Sequence, residues 1–124
     1  ENILTTQFSS PTVATIQGQV QVIVPQSDGW VRAFDPSDGR ILWEFDINVK
    51  TSLYVSTGGN LGSRNYCVAE AVVYNDRVYV ASGQGVEYGG GPGRLVCRRV
   101  FDLLRAVGNH WHSRSPKNSL RTEN

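Results

Sequence analysis

Between Thr12 and Asp46 apolar and polar residues alternate with a period of two, the spacing of strands whose faces meet different surroundings. Pro11 suits the opening of a strand and not its middle, and residues 12–16 after it are mostly β-formers. Gln17-Gly18 reads as a short turn. Residues 19–24 then alternate with Val20, Val22 and Val24 on one face, and Pro25 closes the run. After a turn over 26–29, Gly29 frees the next strand, where Trp30, Arg32 and Phe34 point one way and Val31 and Ala33 the other. Asp35-Pro-Ser-Asp-Gly39 reverses the chain. Pro36 pre-sets φ at the first corner, Asp35 accepts hydrogen bonds from the turn's backbone N–H groups, and Gly39 takes the left-handed position. The return strand sets Ile41, Trp43 and Phe45 on one face. The pattern predicts four antiparallel strands, at about 12–16, 19–24, 30–34 and 41–46, joined in a meander.

Residues 47–65 break the alternation, and the glycines of 58–65 predict an irregular loop. Its N–H groups suit a phosphate, but the Gly-Lys-Ser/Thr ending and following helix of a P-loop are missing. The strand pattern then returns. Residues 69–74 and 77–82 flank a tight turn at Asn75-Asp76, and Val78 and Val80 follow Val20 and Val22 at a distance of 58 residues. A second glycine-rich loop, 83–93, leads into a third strand that aligns Gly93 with Gly29, Leu95 with Val31 and Cys97 with Ala33. A repeated four-stranded meander is the sign of a β-propeller or similar radial array. The chain divides into a lead-in over 1–9, a blade over 10–46, a loop over 47–68, a partial blade over 69–97 and a basic tail over 98–124. The fold class expected is all-β.

The run Gly29-Trp-Val-Arg-Ala-Phe-Asp35, followed by Pro-Ser-Asp-Gly39-Arg-Ile-Leu-Trp43, resembles the repeat of the pyrroloquinoline-quinone (PQQ) β-propellers, and residues 69–83 resemble the first two strands of a next blade. The resemblance covers roughly residues 10–97. It implies four-stranded meander blades of an incomplete propeller, with Gly29, Asp35, Gly39 and Trp43 in structural roles. Trp43 would supply an apolar plate for a neighbouring blade to cover. The family includes PQQ-dependent alcohol and sugar dehydrogenases, an outer-membrane barrel-assembly lipoprotein, and many secreted or kinase-attached repeat proteins that bind no quinone. The paired glycine-rich loops are most similar to the last group. The resemblance therefore implies a non-catalytic binding or scaffold module, periplasmic or secreted, without a cofactor. The alternative it carries is a fragment of a PQQ-dependent dehydrogenase, which would bind PQQ with calcium.

Beyond Cys97 the resemblance stops. Arg98 and Arg99 stand where the family has an apolar residue and Asp. Residues 100–107 have a helical spacing of apolar side chains, Gly108 is placed to end that helix, and from Asn109 the tail reads as disordered. The break predicts a foreign end, as a shifted reading frame or a truncated gene would produce.

Charge follows the same division. Up to Gly93 nine acidic residues outweigh five basic ones, and from Arg94 seven basic residues outweigh two acidic ones, within a formal net charge of +1. A basic arm can bind nucleic acid, but only Phe101 and Trp111 supply aromatic rings among its charges, so no clear nucleic-acid partner is expected. Two cysteines, Cys67 and Cys97, make neither a disulfide framework nor a zinc motif. His110 and His112 would share a face in a strand, without a third ligand. Asp28, Asp35 and Asp38 are explained by turns. No residue is assigned a catalytic or metal-binding role, and the cofactor-binding residues are left unknown.

At 124 residues the chain makes one modest core, and no apolar run reaches the roughly 18 to 20 residues of a membrane span. It contains no methionine and starts at Glu1, which predicts a processed chain or, more simply, a fragment. Propellers close with about four to eight blades. A chain of fewer leaves apolar faces and strand edges open, so the expected partners are a further protein, further blades or a second copy of itself.

Overall fold

The alternation at 12–46 becomes a sheet at almost the predicted bounds. The structure, a computed structural model, describes residues 9–53, 63–84 and 93–113. In them β1 (Thr12–Ile16), β2 (Gln19–Pro25), β3 (Trp30–Phe34) and β4 (Ile41–Asp46) form one antiparallel sheet in the order β1-β2-β3-β4. A second sheet holds β5 (Tyr66–Cys67), β6 (Val72–Tyr74), β7 (Arg77–Gly83) and β8 (Arg94–Arg99). β5 and β6 lie along one edge of β7 and β8 along the other, so β5 and β6 act as one interrupted strand. The helix α1 (Val100–Ser113) follows directly. Over the described residues the protein is mostly β, with a four-stranded meander and one short helix. No helix among the described residues is long and apolar enough to cross a membrane.

The 58-residue repeat is visible in the turns. Ile16 pairs with Gln19 across Gln17-Gly18, and Tyr74 pairs with Arg77 across Asn75-Asp76. All four turn residues have positive φ, between 47° and 79°. That is the two-residue hairpin geometry whose twist matches the strands on either side. The third strands correspond differently from the sequence alignment. Ala33 lies opposite Ile23 and Leu95 opposite Ala81, so β8 follows β3 at 62 residues rather than 64. The longer connection before β8 absorbs the difference without turning its residues over, because the shift is even.

Each sheet buries one face, and the two buried faces are not equivalent. In the first sheet the buried positions are Ile16, Gln21, Ile23, Val31, Ala33, Trp43 and Phe45. In the second they include Ala71, Val78, Val80 and Ser82, which correspond in the repeat to Val13, Val20, Val22 and Val24, and both residues of β5, Tyr66 and Cys67. The valine stripe of β2 therefore lies on the outer face, and the core side of β2 is its Gln21-Ile23-Pro25 row. Two sheets that stack in the same orientation, like successive layers, bury opposite faces in this way. Residues of both sheets and Val100 form one apolar cluster. Each wholly buried aliphatic side chain in it contributes about 1.5–3 kcal/mol.

A bulge modifies the second hairpin of the meander. Ala33 opposes Trp43 and Phe34 opposes Ile41, which leaves Leu42 as the extra residue. Trp43 and Phe45 stay on the core face, with ring centroids 6.1 Å apart, while Ile41 is displaced from that face and exposed.

α1 packs on β4 and β8, across from the first sheet's last strand. Val100, Leu103 and Val107 recur on one side of it and join the core. Val100 N–H donates to the Asp76 carbonyl at 2.9 Å, and Asp102 sits in the first turn, where the helix dipole favours negative charge. The helix runs through Gly108 to Ser113 instead of stopping at Gly108. An interior glycine weakens a helix by about 1 kcal/mol relative to alanine without ending it. The backbone at 110–112 is accordingly helical and not extended. The glycine-rich runs of 58–65 and 83–93 lie largely outside the described residues.

Candidate functional site

The densest polar cluster lies where the two sheets meet at the start of β3 and the end of β4. Gly29 begins it. Its N–H donates to the Gln26 carbonyl at 3.1 Å, its carbonyl accepts from Ile47 at 2.9 Å, and its φ is +85°. A Cβ at this position would stand 2.4 Å from Asn48 Nδ2 and 2.7 Å from the Asn65 carbonyl oxygen. Gly29 thus does more than open a strand. It lets the segment before β5 press against the first sheet.

The contact it admits is a reciprocal pair. Asn48 Nδ2 donates to the Asn65 carbonyl and Asn65 N–H donates to Asn48 Oδ1, both at 2.8 Å. Beside it Arg64 Nη2 lies 2.9 Å from both oxygens of Asp46 and donates to the Asp28 carbonyl at 3.1 Å. Arg64 Nη1 donates to Ser52 Oγ, and Gln84 Nε2 donates to the Arg64 carbonyl. On the outer side of the first sheet a second arginine, Arg32, reaches Asp28 at 3.1 Å, Glu44 at 3.0 Å and Gln26 Oε1, and its guanidinium lies 5.4 Å from the Trp30 ring centroid. At the far edge Thr12 Oγ1 donates to the Ala71 carbonyl at 2.8 Å, tying β1 to the second unit.

Chemically this cluster is a joint. Its three carboxylates, Asp28, Glu44 and Asp46, are each paired with a guanidinium, and Asp28 and Asp46 also accept from the backbone N–H groups of Trp30 and Asn48. A calcium-held quinone needs uncommitted carboxylate and amide oxygens, which this set does not fit. No group of three or more metal-ligating side chains comes together among the described residues. Cys67, at the same junction, is wholly buried. Burial, with the charges of Asp28 and Asp46, pushes its thiol up to about 12, so it stays protonated and unreactive at neutral pH.

The four residues expected to matter do not converge. Asp35 and Gly39 lie in the exposed turn at the other end of β3. Ser37 N–H and Oγ donate to Asp35 Oδ1 at 2.9 and 2.6 Å, Gly39 N–H donates to the Asp35 carbonyl, and Gly39 has φ +75°. These bonds and the nearby Arg40 hold the Asp35 carboxyl below its usual range. Asp38 caps its own turn by accepting from Arg40 N–H. Trp43 is wholly buried in the core, and its Nε1 donates to Gln21 Oε1 at 2.7 Å.

Sequence reasoning missed Gln21, Asn48, Arg64 and Asn65. Gln21 reads as a polar-face residue within a valine alternation. The signal that could have found it is Trp43, since a buried indole N–H requires an acceptor. Asn48, Arg64 and Asn65 stand in or beside segments read as loop and carry no periodic signal at all. Compared with protein-family models, with curated proteins and with solved structures, the chain matches none of them.

Proposed function

We propose that the chain is a non-catalytic binding or scaffold module, part of a secreted or periplasmic PQQ-like β-propeller repeat protein, with its units as blades. One observation carries this reading. Units repeated at 58 residues are stacked so that opposite faces of equivalent strands are buried, as in an array that continues by adding layers. A closed two-sheet sandwich related by a two-fold axis would bury the same face of each. The polar joint supports the same reading: the Arg64–Asp46 ion pair and the Asn48–Asn65 bonds fix one unit on the next, and its groups are spent on each other. The glycine-rich runs that adjoin the joint at Arg64 and Gln84 are the natural place for a protein partner to be met. The test is a titration of PQQ with calcium, followed through tryptophan fluorescence. Unchanged fluorescence is expected. Saturable quenching would replace this reading with that of a quinoprotein dehydrogenase fragment.

A further inference from the structure

The outer face of the second sheet is open and largely apolar along β6–β8, while at its β5 end Tyr66 and Gly83 are buried. Cross-strand pairing places Val72, Tyr79 and Cys97 in one row, Ala81 and Leu95 in another, and Tyr74, Arg77 and Arg99 in a third. Val72 is 61% exposed, Tyr74 66% and Leu95 73%. The first sheet has an open face with an apolar part, where Val13 is 68% and Val20 42% exposed beside Val22, Val24 and Phe34, and the Arg32–Glu44 ion pair lies at its border.

The internal packing says what covers them. At the repeat spacing, Tyr79 and Ala81 occupy the places of Gln21 and Ile23, which are wholly buried, Ile23 in the apolar cluster shared with Val78 and Val80 of the second unit. Likewise Val13, Val20 and Val22 occupy the places of Ala71, Val78 and Val80, which are buried against the first unit. The chain therefore carries one mated pair of faces inside it and an unmated pair of the same kind on its outside. We infer that the partner of the Val72–Leu95 face is the Val13–Val20–Val22 face of a second copy of this chain, docked head to tail. This rests on the stacked-repeat reading above and adds the partner and the polarity of the contact. Two different faces meet, so each added copy presents a fresh open face, and assembly grows past the dimer unless the rotation closes a ring.

The experiment uses sedimentation equilibrium of the full chain and two variants, Leu95→Glu and Val20→Glu, each of which places a charge on one face only. For the unmodified chain the mean mass should climb past that of a dimer as concentration rises. Each variant alone should stay monomeric, and an equimolar mixture should stop at a one-to-one dimer, because each supplies the face the other has lost. Both positions are exposed, so the circular dichroism of the unmodified chain should be retained; Val72→Lys and Val13→Lys serve as a second pair. A chain that stays monomeric at every concentration would overturn the inference. So would variants that fail to combine, which means like faces meet, or assembly that survives both substitutions, which means strand edges meet. Repeating the quinone titration on monomeric Leu95→Glu keeps the two readings separate, since quenching there sinks the proposed function and leaves the docking intact.

Discussion

Trp43 Nε1 donates to Gln21 Oε1 across 2.7 Å inside the core, and Gln21 Nε2 has no partner among the described residues. The tryptophan anchors the outer strand of the meander and the glutamine satisfies it, at the cost of one buried amide hydrogen pair. Losing one partner of a buried hydrogen bond costs about 1–3 kcal/mol, whereas losing both together costs less. Gln21→Leu alone should lower the denaturation midpoint. Adding Trp43→Phe should then cost less than Trp43→Phe does in the unmodified chain, with a coupling of about 0.5–3 kcal/mol in a double-mutant cycle. Additive losses in chemical denaturation would show that the bond contributes nothing.

Gly29 and Gly39 both have positive φ but face different surroundings. A Cβ at Gly39 meets nothing within 4 Å among the described residues, while one at Gly29 meets Asn48 and Asn65 at once. Gly39→Ala should cost about 1–2 kcal/mol from backbone strain alone. Gly29→Ala should cost distinctly more, because the Asn48–Asn65 contact must also open. Equal melting temperatures for the two variants would contradict the joint described above.

Much of this architecture is legible in the sequence, for a physical reason. Strand periodicity and turn chemistry act locally, so β1, β3 and β4 fall at their predicted bounds and Gly39 takes its left-handed place. Which face of a strand turns inward depends on what lies across from it. The Val20–Val22–Val24 row looks like a core stripe, yet it is outer because the second unit covers the other side. The same limit hides the joint, since Asn48 and Arg64 gain their roles only from partners 17 and 18 residues away. The helix over residues 100–107 was legible from its apolar spacing, but its extension past Gly108 was not.

Asp35 carries the pH dependence of the β3–β4 turn. Its folded carboxyl ionises below the usual value of 3.8, owing first to the Ser37 hydroxyl and N–H. A lowered folded pKa adds stability that is fully present above about pH 4, where the unfolded carboxyl is also ionised, and lost as pH falls through the lower folded value. Asp35→Asn should therefore lower the melting temperature at pH 7 and differ less from the unmodified chain as the pH drops below 4. A difference that stays constant with pH would show that charge at Asp35 is irrelevant to the turn.

The two thiols should react unequally. Cys97 is exposed on β8, while Cys67 is wholly buried and its thiol is pushed up to about 12. In the monomeric Leu95→Glu chain one equivalent of a thiol reagent should be consumed quickly in native buffer at pH 8, and the second only on unfolding. Mass spectrometry of the labelled peptides should place the fast label on Cys97; early label on Cys67 would mean that the joint opens readily.

Time is the last consequence of how these contacts are spread along the chain. The β1–β2 and β6–β7 hairpins each close over two residues, which takes on the order of 1–10 μs in isolated hairpins. The bond from Thr12 to Ala71 spans 59 residues and the Asp28–Arg64 contact 36, so both must wait for distant chain to be brought together. The hairpins should therefore gain protection from hydrogen exchange early in refolding and the amide of Cys67, which donates to the Gln26 carbonyl of the other unit, late. Between those two moments the chain is a pair of half-finished sheets, and that interval is when it is most open to capture by another copy.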